Sequence, residues 1–242
     1  MAYTLSDVLI VLPAFNEEAS IRATLLEIQK KASEASVLVV DDGSEDKTAQ
    51  VAAACGVRVA SLPFNLGVGG AMRFGFRHAQ QHGYQVVVQL DADGQHDPGY
   101  LAELVAGLAS HDLVIGARFA GEGDYMVHGP RKWAMGMLSV VLSRTANTKL
   151  TDTTSGFRAS GPRAVSLFAS EYPAEYLGDT VESLVTALKS GLTVTQVPVA
   201  MRPRAGGQPS QNPWRSTVFL FRAFAALVIA YIRPSKHVGG PM

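Results

Sequence analysis

Short apolar runs rich in valine recur along the chain, at 8-VLIVL-12, 37-VLVV-40, 57-VRVASL-62, 85-QVVVQL-90, 112-DLVIG-116 and 193-TVTQVPV-199. A short unbroken apolar run with few polar interruptions is what a strand buried on both faces looks like. Between the early runs lie amphipathic stretches: 17–32 after Asn16, 46–55 after Ser44, 68–82 and 98–109. Gly56 and Gly83 are placed as helix stops. Strands alternating with helices predict parallel pairing through crossovers, so the expected class is α/β, a mostly parallel central sheet with helices on both faces. At 242 residues, with 47% apolar and 17% charged residues, the chain has enough material for one large core and is neither disordered nor fibrous in composition. No repeat or linker divides it.

In an open sheet of this kind, ligands bind beyond the carboxyl ends of the strands. The segments found there are 13-PAFNEE-18, 41-DDGSED-46, 91-DADGQHDP-98 and 116-GARF-119, so acids and an arginine collect on one rim. Asp91, Asp93 and Asp97 crowd one strand end, where they repel one another unless a cation, a basic side chain or water offsets them. An EF-hand calcium loop is excluded, because Gly94 falls at the fourth position and Ala102 at the twelfth. Two carboxylates two residues apart suit a hard divalent cation that bridges a diphosphate; a solvated turn is the alternative. Asp97, just before Pro98, fits a helix N-cap, and His96 is left without a role.

The glycine-rich 65-NLGVGGAMRFG-75 fails the dinucleotide fingerprint, since Met72 stands where the third glycine belongs. Its glycines are expected to allow a tight turn and close helix packing. Asp41 and Asp42 precede Gly43 as a second acid pair on the rim, one of them accountable as a turn former. The stretch 152-DTTSGFR-158 joins an acid, hydroxyls and an arginine, and Asp179 and Glu182 open a further expected helix, where capping alone explains them. The segment 202-RPRAGGQPSQNPW-214 has the character of a cationic lid or of an ordinary surface loop. His78, His82, His111, His128 and His237 lack metal-ligand spacing.

Net charge is zero, which gives no indication of nucleic-acid binding, yet no Asp or Glu follows Glu182 while seven Lys and Arg do. That imbalance suits an anionic ligand or a membrane surface. The tail 217-TVFLFRAFAALVIAYI-232 contains Arg222 and is shorter than the about 20 apolar residues a span requires. It is expected to be an amphipathic helix that lies on a membrane or packs in the fold or a dimer. Cys55 is the only cysteine, and the N-terminus lacks the pattern of a signal peptide, so a cytoplasmic protein is expected.

Taken together, PAFNEE (13–18), VVDDGSEDKT (39–48), NLGVGGAMRFG (65–75), QLDADGQHDP (89–98), IGAR (115–118), DTTSGFR (152–158), GDTVE (178–182) and VPVAMRPRAGGQPS (197–210) resemble the family 2 glycosyltransferases of GT-A fold. They are most similar to the polyprenyl-phosphate branch that includes dolichyl-phosphate mannose synthases. The resemblance implies a GT-A domain over 1–213 and a C-terminal element over 214–242. It implies that Pro13, Ala14, Glu17 and Asp42 line the base and ribose of a UDP- or GDP-linked sugar. Asp91, Asp93 and Gln95 match the positions that face Mg²⁺ or Mn²⁺ and the diphosphate. Arg118 matches an arginine that meets the lipid-carrier phosphate, and Arg202 and Arg204 lie where cations serve the nucleotide. Asp93, Arg118, Asp152 and Asp179 form the candidate catalytic set. Where family members carry a lysine beyond this loop, the chain has Ser210.

The implied reaction is transfer of the sugar to a polyprenyl phosphate with inversion. The alternatives are a hydroxyl acceptor, with Asp179 as general base, and a non-catalytic nucleotide-sugar-binding subunit. The expected location is the cytoplasmic face of a membrane, alone, as a homo-oligomer or with a membrane partner protein.

Overall fold

The computed structural model describes residues 3–118, 139–146, 148–173 and 179–202; for Arg118 and Asp179 the backbone alone is described. Among these residues, seven strands form one sheet: β1 (Val8–Ala14), β2 (Ser36–Asp41), β3 (Arg58–Ser61), β4 (Val86–Gln89), β5 (Leu113–Arg118), β6 (Arg158–Ser160) and β7 (Val194–Val199). Their order is β3-β2-β1-β4-β6-β5-β7. Only β6 runs against its neighbours, paired antiparallel with both β4 and β5. The other six run one way, so their carboxyl ends share a rim, and the segment that enters β6 arrives on that same rim. The α/β expectation holds, with this one reversed strand unforeseen.

The helices are α1 (Ile21–Lys31), α2 (Thr48–Ala54), α3 (Gly67–Gln81), α4 (Leu101–Gly107), α5 (Pro162–Glu171) and α6 (Asp179–Lys189), with residues 139–146 also helical. The expected helix over 98–109 is a 3₁₀ turn, Pro98–Tyr100, followed by α4. Alternate side chains of β1 feed two cores. Leu9 and Val11 join residues of α3, α5 and α6, and Val8, Ile10 and Leu12 join residues of α1 and α4. All five β1 side chains are essentially inaccessible, and each contributes about 1.5–3 kcal/mol of apolar burial. The unbroken run VLIVL follows from that two-sided burial.

Glycine lets α3 approach this layer. A Cβ on Gly75 would stand 2.6 Å from a methyl of Val11, so any larger residue would push the helix off β1. Gly67, at φ +80°, forms the tight turn into α3. The glycine-rich segment therefore does the packing and turning that its sequence predicts. Among the described residues, no helix is long and apolar enough to cross a membrane. The expected C-terminal element, 214–242, lies outside the described residues, as does the lid segment beyond Arg202.

Candidate active site

The strand order reverses beside β1: the chain steps outward to β2 and β3, then returns to place β4 on the other side. A crevice opens at such a switch point, between the ends of β1 and β4. Pro13 and Ala14 close β1 on one side of it. On the other, Leu90 still donates its N–H to Val11, and Asp91 follows.

Around the first wall, the loops after β1 and β2 are cross-bonded. Glu17 donates its N–H to the Thr48 hydroxyl at 2.8 Å, and Asn16 donates its own to Ser44 Oγ at 3.0 Å. Asp42 is buried, and its two carboxylate oxygens accept the N–H groups of Leu66 and Gly67, each at 2.7 Å. It thus caps α3 from a distant loop, meeting donors that the first turn of a helix leaves unpaired. Burial pushes its carboxyl up, although the two N–H groups oppose that shift; the charge of Asp41 adds to it. Gly43 completes the junction: at φ +73°, a Cβ would lie 2.8 Å from the Phe64 carbonyl carbon. The family resemblance implies that Asp42 lines the base and ribose. The structure gives both of its oxygens a structural partner.

The β4 loop forms the second wall. Asp91 is half-exposed, its side chain 39% accessible, whereas Asp93 is buried and accepts the Gln95 N–H at 3.0 Å through Oδ1. Gly94, at φ +77°, turns the chain between them and Gln95. Asp97 caps the following turn by accepting the Gly99 N–H at 2.7 Å, as its sequence position predicts.

The segment before β6 reaches this loop. A Cβ on Gly156 would lie 3.3 and 3.4 Å from the two carboxylate oxygens of Asp91 and 3.1 Å from Gln89 Nε2. The SGF segment is therefore the floor on which Asp91 rests. Asp152 is buried; its Oδ1 accepts from the Thr154 N–H and hydroxyl, and its carbonyl accepts the Gln196 amide at 2.8 Å. Arg158, 4% accessible, organises the rest. Its guanidinium donates to the carbonyls of Thr153 (2.9 Å), Ser155 (2.8 Å) and Thr180 (2.7 Å) and to the Ser183 hydroxyl (3.1 Å). The start of α6, and with it the backbone of Asp179, is tied in this way to the 152–158 loop.

A third contact comes from the chain leaving β7. Arg202 donates its N–H to the Gln95 carbonyl at 3.1 Å, and Met201 bridges His96. The Arg202 guanidinium binds both oxygens of Glu27, at 2.9 and 2.8 Å, and also Asp97. Lys31 joins the same pair of acids, at 2.8 and 2.6 Å. Burial would raise both carboxyls, but hydrogen bonds and charge from Lys31 and Arg202, with the Gly99 N–H for Asp97, hold Glu27 and Asp97 below the usual carboxylate range. Arg202, expected beside the diphosphate, also braces the β4 loop against α1. Arg118 ends β5, in register with Val199; its side chain, that of Asp179 and all of Arg204 lie outside the described residues.

Residues 9–168 match the family model described as glycosyl transferase family 2. The chain belongs to that family. It is 34% identical to an undecaprenyl-phosphate mannosyltransferase of Micrococcus luteus, over 85% of this chain and 87% of that protein. It is 29% identical to a polyprenol monophosphomannose synthase of Mycolicibacterium smegmatis, over 82% of this chain and 78% of the relative. Among solved structures, glucosyl-3-phosphoglycerate synthase of Mycobacterium tuberculosis, in complex with Mn²⁺, UDP and glucosyl-3-phosphoglycerate, aligns with a TM-score of 0.72 at 23% identity. That alignment covers 94% of this chain and 81% of the synthase, and it carries the fold alone. The protein is a glycosyltransferase of GT-A fold, as its motifs imply.

The transferase's β4 loop suits a divalent cation by the chemistry of its donors. Asp91, Asp93 and the Gln95 amide offer only oxygen, and Mg²⁺-type ions take one or two carboxylates and complete their shell with phosphate oxygens and water. Among the described residues, no cluster of three or more His, Cys, Asp and Glu side chains is gathered for a metal. Arg158, Gly156 and His96, none of them among the expected site residues, stand beside the β4 loop or hold the segment that reaches it. The DTTSGFR motif was the available signal for the first two.

Proposed function

We propose that this transferase moves a sugar from a nucleotide-sugar to the phosphate of a polyprenyl phosphate, with inversion at the anomeric carbon. The observation that carries this reading is the paired Asp91 and Asp93 at the end of β4, across the switch point from Pro13 and Ala14. A nucleoside laid along β1 and β2 brings its diphosphate to those carboxylates. A divalent cation bound there supplies the positive charge that stabilises the departing nucleoside diphosphate. Pro13, Ala14 and Glu17 orient the nucleoside, and the loop 152–157 holds Asp91 in place. Arg118, at the end of β5, meets the acceptor phosphate. One phosphate oxygen forms the bond to the anomeric carbon while the bond to the diphosphate breaks. That oxygen is already ionised, so no protein base is required.

The relatives that act on undecaprenyl phosphate and polyprenol support the acceptor class. The donor is a UDP- or GDP-linked sugar, and the enzyme works at the cytoplasmic face of a membrane, held there by its cationic C-terminal segment. One observation favours a second reading: Arg158 ties the start of α6, where the Asp179 backbone lies, to the 152–155 turn, and in that reading Asp179 serves as the general base for a hydroxyl acceptor.

The test is incubation with radiolabelled GDP-mannose, UDP-glucose or UDP-N-acetylglucosamine, Mg²⁺ or Mn²⁺, and undecaprenyl phosphate. Organic-extractable label that disappears in Asp91→Asn and Asp93→Asn supports the reading. Label confined to water-soluble products with every donor refutes the lipid acceptor.

A further inference from the structure

We propose that His96 is a positioning residue of the donor site, fixing Asp91 through both its main chain and its carboxylate. The inference rests on the reading that Asp91 faces the cation and diphosphate. His96 is 3% accessible, and its Nδ1 accepts the Asp91 N–H at 3.1 Å. That bond requires Nδ1 to be unprotonated, so the neutral ring carries its proton on Nε2. Nε2 in turn lies 3.7 Å from Asp91 Oδ2, longer than a hydrogen bond but close enough for the N–H dipole to favour the carboxylate at that position. One imidazole therefore faces both ends of the same residue, five positions earlier in the chain.

The ring is itself held. It stacks on Phe157, with centroids 5.0 Å apart and planes 16° from parallel, and its backbone bridges Met201. On either side of that bridge, Gln95 accepts the Arg202 N–H and Asp97 binds the Arg202 guanidinium. Phe157 adjoins Gly156, whose Cα faces the Asp91 carboxylate. Asp91 is thus bounded by a histidine and a glycine that are joined through one aromatic contact. A half-exposed carboxylate with several rotamers gains a single direction from this enclosure, which is what a cation-facing ligand requires.

The experiment measures Mn²⁺ affinity of the full-length protein with GDP or UDP, by the electron paramagnetic resonance of free Mn²⁺, alongside the melting temperature. His96→Phe keeps a flat ring against Phe157 but removes both nitrogens. It is expected to weaken Mn²⁺ binding by about 10- to 100-fold, the range seen when a ligand's supporting partner is lost. His96→Asn places an amide oxygen near the position of Nδ1 and is expected to recover to within about fivefold of wild type. His96→Gln carries its amide nearer the position of Nε2 and should not recover to that extent.

Wild-type Mn²⁺ affinity in a folded His96→Phe variant overturns the proposal. So does equal affinity of the Asn and Gln variants, a comparison that still decides the matter if His96→Phe does not fold. Asp91→Asn and Asp93→Asn are measured in parallel. Unchanged affinity in both overturns the metal reading and this inference with it. Loss of affinity in both, with His96→Phe unaffected, overturns only the role of His96.

Discussion

Replacing Gly156 with alanine adds one methyl group under Asp91. Gly156 is not among the residues with φ in the left-handed region, so alanine suffers no backbone penalty there, and the effect is steric. The new Cβ would lie 3.1 Å from Gln89 Nε2 and 3.3 and 3.4 Å from the Asp91 oxygens, against a comfortable separation of about 3.5–4.0 Å. Something must yield by a few tenths of an ångström. Gln89 is 4% accessible and set in β4, whereas the Asp91 side chain is 39% accessible, so the carboxylate rather than the amide is displaced from the direction its enclosure sets. Turning it off its preferred rotamer costs about 0.5–1.5 kcal/mol, or about 2- to 12-fold in binding that depends on its direction. The expected result is a loss of that size in Mn²⁺–nucleotide affinity and in kcat/KM. Melting temperature should stay level or rise slightly, because alanine also restricts the unfolded chain. Manganese titration, donor kinetics and a thermal melt on one preparation separate these effects. Unchanged affinity and kcat/KM would refute the steric argument, and a large fall in melting temperature would place the conflict in the core.

Other substitutions probe the remaining contacts. Arg158→Met strips donors from three carbonyls and a hydroxyl in a buried site, which should destabilise the protein by about 3–5 kcal/mol and lower its melting temperature by roughly 6–20 °C. Asp42→Asn leaves one of the Leu66 and Gly67 N–H groups facing an amide nitrogen; the expected cost is about 1–3 kcal/mol, read by urea unfolding. Arg202→Gln should lower the melting temperature by at most about 2–4 °C at neutral pH, since partly exposed ion pairs contribute at most about 1 kcal/mol. Glu27 and Asp97 titrate below their ordinary values, so their share of that difference is complete above the usual carboxylate range near pH 4. It should vanish as pH falls through their lowered values, which paired melts at pH 7 and pH 3 would reveal. Asp179→Asn separates the two acceptor readings: transfer to polyprenyl phosphate should persist, whereas transfer to a hydroxyl should fall by about 10²- to 10⁴-fold.

Much of the frame was legible because its signals are local. VLIVL reads as a doubly buried strand because both faces of β1 are covered, and Asp91 and Asp93 stand out because acids rarely end a buried strand without a reason. Asp97 announces its cap through the proline that follows. The missing strand had no such signal. Three residues, Arg-Ala-Ser, are too few to carry a periodicity, and a buried arginine at the first of them gives no strand signal. Contacts between remote segments were equally hidden. Glu27 looks like an ordinary surface residue of α1, and only folding brings it to Arg202, 175 positions away. His96 looks idle because its stacking partner, Phe157, is supplied by a segment far along the chain. Asp42 carries a duty that its motif position does not disclose: both of its oxygens hold the turn into α3.

The reversed strand β6 also bears on how the chain can be made. β4 and β5 follow each other in sequence but do not touch, because β6 fills the gap between them. A nascent chain that has emerged as far as Arg118 can assemble β3-β2-β1-β4, yet one side of β4 stays open and β5 has neither of its neighbours. Its partners are residues 158–160 and 194–199, so completion of the sheet waits on chain still inside the ribosome. Over that interval the open side of β4 is an unsatisfied ribbon of main-chain donors and acceptors, with Val87 and Val88 beside them. Ribosome-bound intermediates of about this length are where holdase chaperones would find this protein most dependent on them.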